Sequence, residues 1–219
     1  IFDEIQTGLG RTGQLFACQA EGVAPDIMCL AKSLGGGVMP VGAFITTKKI
    51  WNKAYGSINT ALLHTSTFGG NTLATAAVVS TINQIIDKNL SQQAAEKGEY
   101  LLSGLQELAD KYEMIDSVRG KGLMVGLEFK QPKEGVLDRI SHGMFIKLTH
   151  EYLGALVAGT LINDYQIITA YTLNNPNVIR LEPPLIIDYQ QLDTLLRALD
   201  EIFANYNNVF SVAVKGAKN

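Results

Sequence analysis

Residues 26–44 have the sequence DIMCLAKSLGGGVMPVGAF, in which a short apolar run leads to a lysine and a glycine-rich turn. The apolar run, Ile27–Leu30, predicts a buried strand. Lys32 follows it and precedes three glycines, Gly35–Gly37, whose backbone can approach a ligand closely. A lysine in such a place is a candidate for a covalent bond to a carbonyl group. The alternative is a surface lysine on a flexible loop, which is the common environment of this residue type.

The composition indicates a globular chain with a substantial core, since 47 % of its 219 residues are hydrophobic. The 18 Lys and Arg nearly balance the 21 Asp and Glu, giving a net charge of −3. This argues against a nucleic-acid partner and a polybasic membrane surface. No run reaches the about 20 continuous apolar residues of a membrane span. The cysteines and histidines are Cys18, Cys29, His64, His142 and His150. Their spacing matches no metal-ligand pattern, so we expect no metal site. Nothing suggests a disulfide framework, so we expect a reduced, cytoplasmic protein.

Hydrophobic patterning predicts strands and helices in alternation along the first part of the chain. We expect the end of a buried strand at residues 1–2, a strand at 43–46, and helices at 49–55 and 72–87. A long amphipathic helix follows, for which Ser91 is the predicted N-cap. The chain opens on apolar residues, in the middle of a strand-like run. We therefore expect a C-terminal piece of a longer protein.

The second part of the chain has a different pattern. Period-two alternation predicts a strand at 123–129, and a helix is expected over 140–157. A short strand at 178–181 precedes a final helix, which Asp188 caps with Gln191 three residues later, as in a capping box. We expect two domains, residues 1–90 and residues 91–219, of which the second is an α+β unit.

A second candidate residue stands at the end of the first predicted strand. Asp3 and Lys32 each follow an apolar strand-like run, and ligands of open α/β sheets bind beyond the carboxyl ends of the strands. An aldehyde cofactor with a pyridine ring uses such a pair, because a lysine forms a Schiff base and a carboxylate keeps the ring nitrogen protonated. Taken alone, Asp3 is better explained as a turn or capping aspartate.

Four motifs in a fixed order give the chain a resemblance to a known family. They are DEIQTGLGRTG (3–13), PDIMCLAKSLGGG (25–37), TSTFGGN (65–71) and VIRLEPP (178–184). Together they resemble the class III pyridoxal-phosphate (PLP) aminotransferases, the group that includes the ornithine, acetylornithine and putrescine enzymes. The resemblance covers nearly the whole chain. It implies an α/β fold of PLP fold type I, with part of a large, mostly parallel domain and a smaller C-terminal α+β domain.

The resemblance also implies roles for five residues. Lys32 would hold the cofactor aldehyde and move a proton, and Asp3 would bind the pyridinium nitrogen. Gln6 would hydrogen-bond near the phenolic oxygen, and Thr67 would contact the phosphate of the cofactor in the other subunit of a homodimer. Arg180 would bind a substrate carboxylate, for which its planar fork is suited. Thr67 and Arg180 have simpler alternatives as a helix-entry residue and a structural ion pair.

Two departures from the family pattern bear on function. The upstream half of the family, which supplies the phosphate-binding turn and the ring-stacking aromatic residue, is missing. The segment 164–174 is longer than expected, close to Arg180.

We therefore expect transamination from an amine or amino acid of the putrescine or ornithine type to a keto acid such as 2-oxoglutarate. The alternatives are an isomerase or aminomutase of the same fold, and an inactive fragment without the upstream half. A nucleotide-binding module is less well supported, because neither phosphate-loop pattern is complete.

Overall fold

The computed structural model describes residues 1–130, 144–172 and 174–205, with side chains given for all of these except 144–152. The strands are β1 (Phe2–Asp3), β2 (Ile27–Leu30), β3 (Ala43–Thr46), β4 (Ile115–Lys121), β5 (Met124–Phe129), β6 (Ala170–Tyr171) and β7 (Val178–Leu181). The helices are α1 (Lys48–Tyr55), α2 (Thr72–Asp87), α3 (Leu90–Lys111), α4 (Met144–Tyr165) and α5 (Tyr189–Asn205).

The chain divides into two compact units, Ile1–Ala95 and Glu96–Asn219, and the division lies within α3. The domain boundary expected at residue 90 stays a prediction. No helix of the described residues is long and apolar enough to cross a membrane.

The first unit contains a three-stranded sheet in the order β1-β2-β3. β1 runs parallel to β2, with Asp3 opposite Cys29, and β3 runs antiparallel to β2. Because β1 and β2 are parallel, their carboxyl ends lie at the same edge of the sheet. Helix α2 packs on the turn that follows β2, burying Ala74 and Ile85 on one face. The sheet edge that carries Lys32 is therefore supported by a helix.

The second unit contains a four-stranded antiparallel sheet in the order β4-β5-β7-β6. Strand β5 is half-buried in strict alternation, which matches the period-two pattern of its sequence. Its apolar face belongs to a core that includes Phe129 and Phe203, whose rings meet edge to face at 5.9 Å between centroids. Helices α3, α4 and α5 contribute fully buried leucines to this core: Leu101, Leu105, Leu153, Leu161, Leu192 and Leu199. An antiparallel sheet with helices is the α+β architecture expected for this part of the chain.

Most predicted elements are present, with small shifts at their ends. The strands at 27–30, 43–46 and 178–181 and the helix at 72–87 have the predicted bounds. The helix expected from residue 49 begins at Lys48, and the strand expected from residue 123 begins at Met124. The helix expected over 140–157 is present from Met144 and continues to Tyr165, while residues 140–143 lie outside the described residues.

The predicted N-cap of the long helix was wrong. Helix α3 begins at Leu90, so Ser91 lies inside its first turn. The Gln93 N–H already donates to the Asn89 carbonyl at 3.2 Å, and Asn89 has a φ of 51°. Asparagine tolerates this left-handed conformation, which lets α3 start directly after the end of α2.

Two further differences concern strands at sheet edges. The strand end expected to be buried at residues 1–2 is only partly so: Phe2 of β1 is half-buried, and Ile1 before it is 85 % exposed. β4 was not predicted at all. Its sequence is IDSVRGK, in which Ile115 is the one buried residue, so it lacks the apolar alternation that marks a half-buried strand.

Candidate functional site

Lys32 opens a tight turn directly after β2. The residues Lys32–Gly35 form a single 3₁₀ turn, and Gly36 follows it in the left-handed conformation with a φ of 63°. Lys32 itself has a φ of 47°, which is uncommon for a residue with a side chain. Strained backbone of this kind persists where the surrounding structure enforces it, and it is concentrated at functional sites. An added Cβ at Gly37 would meet no atom within 4 Å, so the turn is open there.

The Lys32 side chain is held by Gln6. Its Nζ donates a hydrogen bond to Gln6 Oε1 at 2.6 Å, although the two residues are separated by 26 positions in the chain. This contact joins the turn after β2 to the loop after β1. The bond presents a primary amine at the carboxyl edge of the sheet.

Asp3 ends β1 at the same edge. It lies opposite Cys29 in the parallel register, and its Oδ1 accepts a hydrogen bond from the Ile5 N–H at 3.0 Å. A carboxylate has about four acceptor positions, so this bond leaves acceptor capacity on Asp3. The structure therefore brings three of the five predicted site residues, Asp3, Gln6 and Lys32, to one edge of one sheet.

The neighbouring carboxylate, Glu4, has a different environment. It is 3 % exposed, and its carboxylate accepts hydrogen bonds from the Thr7 hydroxyl at 2.5 Å and from the N–H groups of Cys18 at 2.8 Å and Ala17 at 3.1 Å. Burial alone would raise the pKa of Glu4, but these hydrogen bonds outweigh burial and lower the pKa below its usual value. Burial and the Glu4 charge raise the pKa of the Cys18 thiol. Glu4 thus fastens the loop that carries Gln6.

Sequence reasoning missed the role of Glu4. Glu4 follows Asp3 directly, but its carboxylate is buried, whereas Asp3 is exposed as a candidate ligand group. The glycines of this loop are the sequence feature from which its tight fold over Glu4 could have been predicted. An added Cβ at Gly8 would lie 2.8 Å from the Glu4 carbonyl oxygen, so the chain doubles back tightly over Glu4 at this point.

Thr67 lies on a separate, exposed segment of the first unit. A turn closes around it with the Gly69 N–H donating to the Ser66 carbonyl at 3.2 Å. Asn71 then caps α2, since its Oδ1 accepts from the Ala74 N–H at 2.9 Å. Thr67 therefore lies in the exposed turn that precedes the N-cap of α2.

Arg180 belongs to the second unit, in β7 between Gly126 of β5 and Ala170 of β6. Its Nη1 lies 4.0 Å from Glu182 Oε2, and its side chain is 38 % exposed. Its Nε is buried and has no hydrogen-bond partner among the described residues. The side chain lines a cavity of about 780 Å³ together with the segment 165–170. These residues belong to the segment 164–174, which is longer than the family pattern. They lie beside Arg180 because β6 pairs with β7, with Ala170 opposite Arg180.

Comparison with known proteins decides the family. The profile of the class-III aminotransferases matches residues 1–203 of the chain. The chain belongs to the class-III aminotransferase family. The resemblance found in the four sequence motifs is thereby confirmed.

Individual relatives agree with this assignment. The chain is 42 % identical over 208 residues to a putrescine aminotransferase from Pectobacterium atrosepticum, a match that covers 94 % of this chain and 40 % of the relative. Acetylornithine aminotransferase from Elizabethkingia anophelis has a similar structure, with a TM-score of 0.72 and 30 % identity over 93 % of this chain and 47 % of that one.

A third relative links the fold to a cofactor. Ornithine aminotransferase from Toxoplasma gondii matches with a TM-score of 0.74 and 30 % identity over 92 % of this chain and 42 % of that one, and its structure has partial occupancy of PLP at the active site. The α/β fold of this class of aminotransferases is thus confirmed. The chain spans less than half the length of these three relatives.

The residues at the sheet edge fit PLP. Lys32 offers a primary amine, Asp3 offers a carboxylate with acceptor capacity, and Gln6 lies in hydrogen-bond contact with the amine. Within the described residues there is no group of three His, Cys, Asp or Glu side chains that could hold a metal ion.

Proposed function

We propose that the full-length protein is a PLP-dependent aminotransferase. It would transfer an amino group from an amine or amino acid of the putrescine or ornithine type to a keto acid such as 2-oxoglutarate. The observation that carries this proposal is the 2.6 Å hydrogen bond from Lys32 Nζ to Gln6 Oε1, at the sheet edge where Asp3 ends β1. Membership of the class-III family supports it.

Each residue at this edge has a distinct role in the proposal. When bound, PLP supplies an aldehyde for amine exchange and a ring that accepts electrons. Lys32 would hold the aldehyde through its amine and would move a proton once a substrate amine has taken its place. The Asp3 carboxylate would bind the ring nitrogen and favour its protonated form, because opposite charges attract at short range. Gln6 orients the lysine and would hydrogen-bond near the phenolic oxygen.

Arg180 is the proposed contact for a substrate carboxylate. Its buried Nε without a partner among the described residues, and its position on a cavity, support this role. The ion pair with Glu182 is long at 4.0 Å and partly exposed, so it is a weak reason for an arginine at this position. A diamine donor would not need this contact, whereas a keto acid would.

We propose further that the protein is a homodimer with shared sites, in which Thr67 contacts the phosphate bound by the other subunit. In support of a contact between copies, the segment around Thr67 exposes five large apolar side chains, and exposed apolar surface marks interaction sites. They are Ile58, Leu62, Leu63, Phe68 and Leu73.

We place residues 1–90 in the cofactor-binding domain and residues 91–219 in the small domain. The free thiols of Cys18 and Cys29 favour the cytoplasm. Because the chain spans 40 % of the putrescine aminotransferase, we propose that this chain alone does not bind PLP.

The proposed function is tested with Lys32→Ala in the full-length protein. We expect loss of the near-visible absorbance that PLP gains on joining a lysine, and loss of turnover. Lys53→Ala, which removes an exposed lysine of α1, is the matched control and should behave as the wild type. Survival of both absorbance and turnover in Lys32→Ala would show that the proposal is wrong. Turnover with an amine but without a keto acid would instead indicate an isomerase or aminomutase.

A further inference from the structure

Four aromatic rings pack together beside the segment that carries Thr67. His64 meets Phe44 of β3 edge to face, with 4.8 Å between ring centroids and 80° between the planes, and lies 5.6 Å from Tyr55 of α1. Trp51 of α1 completes the group at 6.1 Å from Phe44 and 5.0 Å from Tyr55. We call these four residues the His64 cluster.

Thr67 lies between two points at which the chain is held. On one side, His64 is three residues away, which is at most about 10 Å of extended chain. On the other side, Asn71 is fixed to α2 as its N-cap and to the Phe68 carbonyl, to which its Nδ2 donates at 2.8 Å. Between the two points, the Ser66–Gly69 turn sets the local backbone. The His64 contact thus holds the segment on the side opposite the helix.

We propose that His64 is a positioning residue that fixes the Thr67 turn against β3 and α1 through its ring. This inference rests on the proposed function, in which Thr67 contacts the phosphate. It assigns to His64 the task of holding Thr67 in place for that contact. Edge-to-face and tilted ring pairs at these distances are favourable beyond the area they bury. A segment that is already ordered binds an anion without the entropy cost of ordering it.

The positions of the rings explain why an aromatic residue is required at this place. Phe44 and Tyr55 come from different elements, β3 and α1, so the His64 ring connects the segment to both at once. His64 is itself an exposed residue, so its contacts contribute little to the core of the unit. Its effect is therefore expected on the local order of the segment rather than on global stability.

The experiment is a double-mutant cycle on PLP affinity in the full-length protein. Two single variants, His64→Ala and Thr67→Ala, are each expected to weaken PLP binding by about tenfold. The double variant should bind no more weakly than Thr67→Ala, because His64 acts through Thr67. His64→Phe keeps a ring and should retain affinity within about twofold. Independent effects that multiply in the double variant would overturn the proposal, as would an equal loss in His64→Phe.

Hydrogen exchange in the cofactor-free protein gives a readout that does not depend on PLP. His64→Ala should speed exchange of the Gly69 and Asn71 amides, whose bonds close the turn, and Thr67→Ala should not. Tyr189→Ala removes a ring from an exposed edge-to-face pair in the second unit, and it should change neither exchange at the turn nor PLP affinity. Unchanged exchange in His64→Ala would overturn the proposal.

The two proposals fail in different ways. If Lys32→Ala keeps the near-visible absorbance, the aminotransferase function is wrong. If Lys32→Ala loses it but Thr67→Ala binds PLP as the wild type does, the function stands and the positioning role of His64 toward the cofactor is overturned.

Discussion

Glu4 is the residue whose loss should most disturb the loop that carries Gln6. Its two carboxylate oxygens receive three donors, from Thr7, Ala17 and Cys18. In Glu4→Gln, one oxygen becomes an NH₂ group that points at donors. We expect this change to lower the free energy of unfolding by about 2 kcal/mol at pH 7, as measured by urea unfolding of the full-length protein.

The stability difference between the wild type and Glu4→Gln should depend on pH. The folded protein lowers the pKa of Glu4, so its contribution is present above the unfolded-state pKa of about 4.3 and is lost as pH falls through the folded value. The stability difference between the wild type and Glu4→Gln should therefore be full at pH 7 and shrink below about pH 4.3. The exposed Glu99→Gln is the control and should change stability little at either pH. A difference that stays constant across this range would contradict the assignment.

For individual residues, the sequence predicted which ones share a sheet edge but not the contacts that fix each of them there. Asp3 and Lys32 followed from two apolar runs, and the parallel register of β1 and β2 confirms that both runs end together. The burial of Glu4 and the left-handed φ of Lys32 depend on how the loop after β1 folds back. That fold-back is set by contacts between residues 13 or more positions apart, which local periodicity does not contain.

Helix α2 packs on the turn that begins at Lys32, and two neighbouring glycines of this turn allow the contact to be tested with a matched control. Gly36 and Gly37 both have positive φ, at 63° and 76°, so alanine at either carries a similar backbone cost of about 1 kcal/mol. The two positions differ in the space that a side chain would have. An added Cβ at Gly36 would lie 2.4 Å from Thr81 Oγ1 of α2, whereas one at Gly37 would meet nothing within 4 Å.

We expect Gly36→Ala to lower the melting temperature more than Gly37→Ala does. The extra loss should disappear in the background of Thr81→Ala, because that change removes the oxygen that the new Cβ would meet. Thermal unfolding of Gly36→Ala, Gly37→Ala and the double variant Gly36→Ala/Thr81→Ala, with the wild type and Thr81→Ala as references, measures this. Equal losses at the two glycines would show that α2 does not hold the turn.

The helix ends show what local sequence does and does not decide. Asp188 and Gln191 were predicted as a capping box, and both bonds are present: the Gln191 N–H donates to Asp188 Oδ1 at 2.8 Å, and the Asp188 N–H donates to Gln191 Oε1 at 3.1 Å. Ser91 failed as a cap because Asn89, two residues earlier, already starts α3. A cap is predictable where side chain and backbone satisfy each other within four residues, and not where a short connection between two helices fixes the start.

For the whole molecule, the four ordered motifs predicted the family, and the match of the family profile to residues 1–203 confirms it. The proposed homodimer adds a consequence that neither motif order nor the structure of one chain contains. If Thr67 serves the site of the other subunit, Lys32 and Thr67 of one chain never belong to the same site. Asp3 and Lys32 of one chain always do, because they lie at one edge of one sheet.

Mixed dimers of full-length variants test this arrangement. When Lys32→Ala and Thr67→Ala subunits are mixed in equal amounts and re-associated, about half of the dimers are mixed, and each holds one site with both native residues. About a quarter of all sites should then regain tight PLP binding and its near-visible absorbance. Lys32→Ala mixed with Asp3→Asn is the matched control. Each of its sites carries one of the two defects in every dimer, so no recovery is expected. Recovery in neither mixture would place Thr67 in the site of its own subunit.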